Sequence, residues 1–157
     1  MADAIIDRID PKDLELVAHL YNSMFRPERD EEFFRRRLLG RHNPLVQVAR
    51  IDHDAVGFSI GMELKPNVFF AWIVGVVPEM RRTGIATQLM LGAETWAHAE
   101  GYERVRFECS NQTRPFLHFG IANGYDIVGL RWDPDLMTNL VIFEKRLDTY
   151  DHHHHGQ

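Results

Sequence analysis

The chain has 157 residues, about the length of one domain, with 45% hydrophobic and 26% charged residues, the balance of an ordinary globular protein. Its formal net charge of −5 argues against a nucleic-acid partner, which wants a basic stripe. No apolar run approaches the roughly 18 to 20 residues of a membrane span.

The first eight residues lack the basic and apolar regions of a secretory signal, so the expected location is the cytoplasm. A single cysteine, Cys109, excludes an internal disulfide and a multi-cysteine zinc site. On a predicted strand it reads as a small buried hydrophobe. His152 to His155 read as the remnant of an affinity tag, so residues 151–157 are set apart and 1–150 are taken as one domain.

Ala4 to Ile9 alternates weakly and predicts a first strand. Asp10-Pro11 reads as a helix start, with Asp10 as N-cap and Leu14, Val17, Ala18 and Tyr21 at helical spacing up to about Met24. Arg26-Pro27 breaks that helix. Asp30 starts a second one, with Phe33, Phe34, Leu38 and Leu39 apolar, the Arg35-Arg36-Arg37 run solvated and Gly40 at its end.

Leu45 to Ile51 and Val56 to Glu63 flank the turn Asp52-His53-Asp54 as two strands of a meander. Asn67 to Val77 is almost wholly apolar and predicts a central strand covered on both faces. Gly84 to Glu100 predicts a helix with Ile85, Leu89, Gly92, Ala93 and Trp96 on one face and Gly101 at its C-cap. A strand from Arg104 to Cys109, a short helix from Thr113 to Asn123 closed by Gly124, and strands Tyr125 to Arg131 and Leu140 to Lys145 complete the order β-α-α-β-β-β-α-β-α-β-β.

The segment Gly75-Val76-Val77-Pro78-Glu79-Met80-Arg81-Arg82-Thr83-Gly84-Ile85-Ala86-Thr87 joins a buried strand to a helix start. Such a turn presents unpaired backbone N–H groups at the positive end of the helix dipole, which suits a phosphate. Gly84 permits close approach of a ligand, Ala86 leaves room, and Arg81 and Arg82 add positive charge.

In this context the segment resembles motif A of the GNAT superfamily of N-acetyltransferases: a strand ending Val-Val-Pro, then Arg-x-x-Gly-x-Ala, then a helix. Asn111 and Gly124-Tyr125 resemble the family's following Asn…Gly-Phe/Tyr segment. The resemblance implies an α/β fold with a mixed, mostly antiparallel sheet of about seven strands, about four helices, and a splay between the fourth and fifth strands.

It implies transfer of an acyl group, most simply acetyl, from acetyl-CoA to a primary amine of a small molecule, without a metal. Acceptors in the family also include protein N-termini and lysines, and a silent acyl-CoA-binding module is the reading from another class. Val76 and Val77 would meet the pantetheine arm, and the amides of Arg81, Arg82, Thr83, Gly84, Ile85, Ala86 and Thr87 would wrap the pyrophosphate. Asn111 would bind the pantetheine arm or a water. A homodimer is compatible with exposed strand edges.

The chain departs from the family in its acid and base. Many members carry a tyrosine four residues before the glycine of Gly-Phe/Tyr, where this chain has Gly120. Others carry a fourth-strand glutamate, where counting back from Arg81 gives Phe70. The remaining candidates are His118, the nearest titratable side chain, and Glu108, acting through water or pairing with Arg106. Glu63 is a candidate substrate-side carboxylate, and Trp72 is either core or a wall of the acceptor pocket.

Overall fold

The computed structural model describes residues 3–147, so the His152–His155 tract lies outside the described residues. In chain order the elements are β1 (Ile5–Ile9), α1 (Glu15–Met24), α2 (Glu31–Leu38), β2 (Leu45–Ile51), β3 (Asp54–Lys65) and β4 (Val68–Val76). There follow α3 (Ile85–Ala99), β5 (Arg104–Ser110), α4 (Arg114–Ala122), β6 (Asp126–Asp133) and β7 (Thr138–Arg146). The order is the expected one, with a short 3-10 turn, Pro78–Met80, added between β4 and α3.

The strands form a mixed sheet in the order β1-β2-β3-β4-β5-β7-β6, so the α/β class is as expected. Among the described residues no helix is long and apolar enough to cross a membrane. The chain clusters into two compact units, one drawn from Met1–Glu63 and Ala71–Ala93, the other from Leu64–Phe70 and Glu94–Gln157.

In the first unit, α1 starts later than its sequence signal. The Asp10 carboxylate accepts from the Lys12 N–H (2.9 Å) and its carbonyl from the Asp13 N–H (2.9 Å), which closes a local turn rather than capping a helix. The buried stripe begins only at Leu14, with Val17, Ala18 and Leu20, and the helix begins with it. Asp30 does cap α2, accepting from the Phe33 N–H at 3.0 Å.

The hairpin of β2 and β3 turns on two residues, Asp52 and His53, both at positive φ (49° and 75°), so β3 starts at Asp54, ahead of the predicted Val56. Val48 faces Phe58 and Val46 faces Ile60 across the pair, and all four are buried. The opposite face carries Ala49, Val56 and Val76 against Ile85 and Leu89 of α3. At about 1.5–3 kcal/mol per buried large apolar side chain, these faces supply most of the unit's cohesion.

In the second unit the Asn67 carbonyl accepts from the N–H groups of Glu103 (3.0 Å) and Arg104 (3.1 Å). The first residues of β4 and β5 therefore lie side by side and run parallel. β7 pairs antiparallel with both β5 and β6. Alternation along β5 buries Val105, Phe107 and Cys109 on one face and leaves Arg104, Arg106 and Glu108 on the other. Phe107 anchors an aromatic cluster with Phe116 and Phe119 of α4, Tyr125 and Phe143, at centroid distances of 4.8–6.1 Å.

A buried polar trio sits in the same unit. The Tyr125 hydroxyl donates to Glu94 Oε2 at 2.6 Å, and Lys145 Nζ reaches Glu94 Oε1 at 3.0 Å. It ties α3 to the start of β6 and to β7.

Candidate functional site

The Val76–Thr87 segment folds as its sequence requires. After β4, Pro78–Met80 makes one tight turn, with the Met80 N–H donating to the Val77 carbonyl at 2.9 Å. Arg82 and Gly84 follow at positive φ, 65° and 87°, and curl the chain into the start of α3. Gln88 donates to the Gly84 carbonyl at 3.0 Å. The N–H groups of Ile85, Ala86 and Thr87 come before that first helical bond and have no acceptor within the helix. They stand at the positive end of the α3 dipole, which is the chemistry a pyrophosphate wants.

Two expected ligand donors are already committed. The Arg81 N–H donates to the Pro78 carbonyl (3.3 Å), and the Val77 N–H donates to the Val56 carbonyl (2.9 Å). Antiparallel pairing turns both backbone groups of a residue to one side, so Val76 presents its own to the opposite edge of β4. That edge is what an extended pantetheine arm would pair with. The Arg81 guanidinium covers it in part, with Nε 3.3 Å from the Val76 carbonyl. Thr83 directs its hydroxyl back to the Met80 carbonyl, which braces the turn.

β4 also carries an irregularity that its apolar sequence hides. Trp72 packs against Phe33 and Phe34 of α2, whereas Val74 and Val76 pack into the cluster with Ile85 and Leu89 of α3. Gly75 confirms the switch: a Cβ there would meet Met24 Sδ at 2.7 Å, and Phe25 and Phe58 at 3.0 Å, on the α1 side. Residues 72 and 74 should share a face, and they do not. The alternation therefore breaks between Trp72 and Val74. The centre of β4 is correspondingly half-buried, not fully covered as expected.

In the second unit the remaining candidates separate. Glu108, on the charged face of β5, pairs with Arg131 of β6 (2.9 Å) and not with Arg106. Arg106 stands opposite Glu144 in the β5–β7 register and bonds to it at 2.7 Å, with Arg104 3.4 Å away on the same carboxylate. Strand register thus decided the pairing.

His118 is exposed on α4, the helix that packs on the other face of β5 through Phe116 and Phe119. Glu108 and His118 therefore lie on opposite sides of this strand. Asn111 follows β5, donates its N–H to the Asn139 carbonyl (3.2 Å) and accepts from the Thr138 hydroxyl (3.4 Å). Glu63 donates its N–H to the His42 carbonyl at the end of the hairpin. Cys109 is buried as expected, and burial pushes its thiol up to about 11.

A family model described as the acetyltransferase (GNAT) family matches residues 14–120. The chain belongs to the GNAT acetyltransferase family. No curated protein matches it as a relative. Solved structures resemble it closely in fold at low identity. The ribosomal-protein-S18-alanine N-acetyltransferase of Escherichia coli superposes with a TM-score of 0.79 at 14% identity, covering 92% of this chain and 94% of that one. An IAA acetyltransferase of Bacillus cereus gives 0.77 at 15%, with 92% and 99% covered. A GNAT acetyltransferase of Elizabethkingia anophelis with acetyl-CoA bound gives 0.70 at 15%, with 93% and 99% covered.

Packing accounts for the glycine that this GNAT chain has where the tyrosine was expected. A Cβ on Gly120 would lie 2.6 Å from the Phe143 ring, so any side chain there must displace the aromatic cluster. Phe70, at the glutamate position, is half-buried and carries no titratable group.

Sequence reasoning missed the aromatic–arginine layer on α2. Arg29 lies over the Phe33 ring and Arg37 over the Trp72 ring, each at 4.5 Å. Arg29 precedes α2 and Trp72 belongs to β4, so no local spacing in the sequence signals the pair of contacts.

Proposed function

We propose that this protein transfers an acetyl group from acetyl-CoA to the primary amine of a small molecule, with residues 1–150 acting as one acyltransferase domain. The observation that carries the reading is the turn at Arg82 to Thr87, where two positive-φ residues precede a helix start with free N–H groups. Acetyl-CoA, when bound, supplies the acetyl group as an activated thioester. Ile85, Ala86 and Thr87 would hold its pyrophosphate through backbone amides, assisted by Arg82, Thr83 and Gly84. Val76 would pair with the pantetheine arm, which requires Arg81 to swing off the Val76 carbonyl. Asn111 would take a pantetheine or water contact.

A free amine has a pKa near 10 and must lose a proton before it attacks. Of the two candidates, Glu108 is the one we assign to accept that proton through water. Its side chain is only 13% exposed, and Arg131 engages Oε1, leaving Oε2 available. His118 stands in solvent on α4. A backbone N–H at the break in β4 would suit polarisation of the thioester carbonyl.

A small-molecule acceptor is favoured over a protein by the recess of about 770 Å³ beside α2, within the usual range for small-ligand sites of about 300–1,000 Å³. The test is release of coenzyme A thiol from acetyl-CoA with a panel of amines. Amine-dependent release that saturates with small amines is expected. Acetyl-CoA binding without turnover on any amine would leave the silent-module reading.

A further inference from the structure

We propose that the acceptor is an amine that carries a carboxylate, received by the arginines stacked on the Phe33–Trp72 ring pair, Arg29 and Arg37; the inference rests on the amine-acetylation reading above. Phe33 and Trp72 have centroids 6.1 Å apart, and one guanidinium lies over each ring at 4.5 Å. Stacking fixes the plane of a guanidinium and leaves its N–H edge outward, the geometry that receives a planar carboxylate in bidentate fashion.

The neighbouring charges make these two arginines stand out. Arg35 is held by Glu31 and Glu32, and Arg36 lies 3.7 Å from Glu32. Among the described residues neither Arg29 nor Arg37 has an ion-pair partner. Both line the 770 Å³ recess, with Asn22, Glu28 and Phe33 beside them. The Asp30 carboxylate in the same wall is engaged in capping Phe33. Glu28 is a lining carboxylate with no ion-pair partner among the described residues, so the recess offers both signs of charge and fits a zwitterion. Trp72, under Arg37, adjoins Ile73, where the side-chain alternation of β4 breaks. A carboxylate on Arg37 would sit beside Trp72 of β4, the strand proposed to polarise the thioester.

The experiment compares acetylation of free amino acids (L-leucine, L-phenylalanine, L-glutamate) with their α-carboxamides and with O-phosphoethanolamine. The amide amines are the less basic, so any bias from amine pKa runs against the proposal. The acids are expected to exceed their amides in kcat/KM by about tenfold, the low end for hydrogen bonds to a charged group. In Arg29→Gln/Arg37→Gln that ratio falls to within about twofold, while acetyl-CoA affinity and melting temperature hold.

Binding of the same acids is followed separately by NMR shifts of the Trp72 indole N–H signal, without acetyl-CoA. Shifts in the native protein that vanish in the double variant support the proposal even where no acetyl transfer is seen, in which case only the transfer reading falls. Amides used as well as acids, a ratio that survives in the double variant, or a preference for the phosphate compound overturns it.

Discussion

The Gly120 backbone lies against the ring of Phe143: a Cβ built on it would stand 2.6 Å from one ring carbon and 2.7 Å from the next. Phe143 is fully buried and stacks on Phe107 at 4.8 Å, so it has nowhere to retreat. Gly120→Tyr, which would install the family's usual tyrosine, is expected to destabilise the fold by at least the roughly 1–3 kcal/mol of an overpacked core, and not to raise turnover. Thermal unfolding of Gly120→Tyr, alone and with Phe143→Ala, checks this. The double variant should recover part of the loss if the ring contact is the cause. A stable and faster Gly120→Tyr would overturn the account.

Gly84 holds φ at 87°, a conformation that a β-branched residue adopts only under strain. Gly84→Val is expected to weaken acetyl-CoA binding more than Arg82→Ala, because it disturbs the N–H array while Arg82 contributes one solvent-screened charge. Calorimetric titration of both folded variants makes the comparison. Equal affinities would place the pyrophosphate away from this turn.

For the proton step, Glu108→Gln is expected to lower kcat by about 10² or more, the usual contribution of a positioned base, with acetyl-CoA affinity retained. His118→Ala, at an exposed position of α4, should change kcat less than about threefold. The reverse pattern assigns the proton to His118. If neither variant is slowed, the reaction proceeds by positioning and carbonyl polarisation.

The Tyr125–Glu94 bond gives the fold an alkaline limit. Burial, then the charge of Glu94 and the hydrogen bond to it, raises the Tyr125 phenol far above its ordinary value of 10.0. A raised folded pKa means a contribution fully present below pH 10 and lost above it, as the unfolded chain ionises and the folded one does not. Denaturant unfolding should therefore show stability falling above pH 10 more steeply in the native protein than in Tyr125→Phe. The variant starts about 1 kcal/mol lower because Glu94 loses a donor. Parallel alkaline slopes would show that the phenol does not carry the effect.

Cys109 should be inert in the folded protein. Desolvation raises its thiol to about 11, so at pH 8 the thiolate fraction is about one part in a thousand. A thiol reagent is expected to count one slow group in native protein and one fast group in denaturant. Fast reaction in the native state would contradict the burial.

The amino-acid sequence by itself determined the element order, the fold family and the place of the strand-to-helix turn. Those rest on local signals: period-2 and period-3.6 apolar patterns, the Asp30 cap, and the Arg-x-x-Gly-x-Ala run placed between a strand and a helix. It misplaced the start of α1, because Asp10-Pro11 carries a cap signal that a local turn satisfies equally well. Tertiary structure decided everything that depends on register. Pairing of β5 with β7 gave Arg106 to Glu144 and left Glu108 for Arg131. A break in the alternation of β4 turned Trp72 toward α2, where Arg37 covers it. An apolar run reads the same with or without a bulge. Only the surfaces packed on its two faces show which residue breaks the alternation.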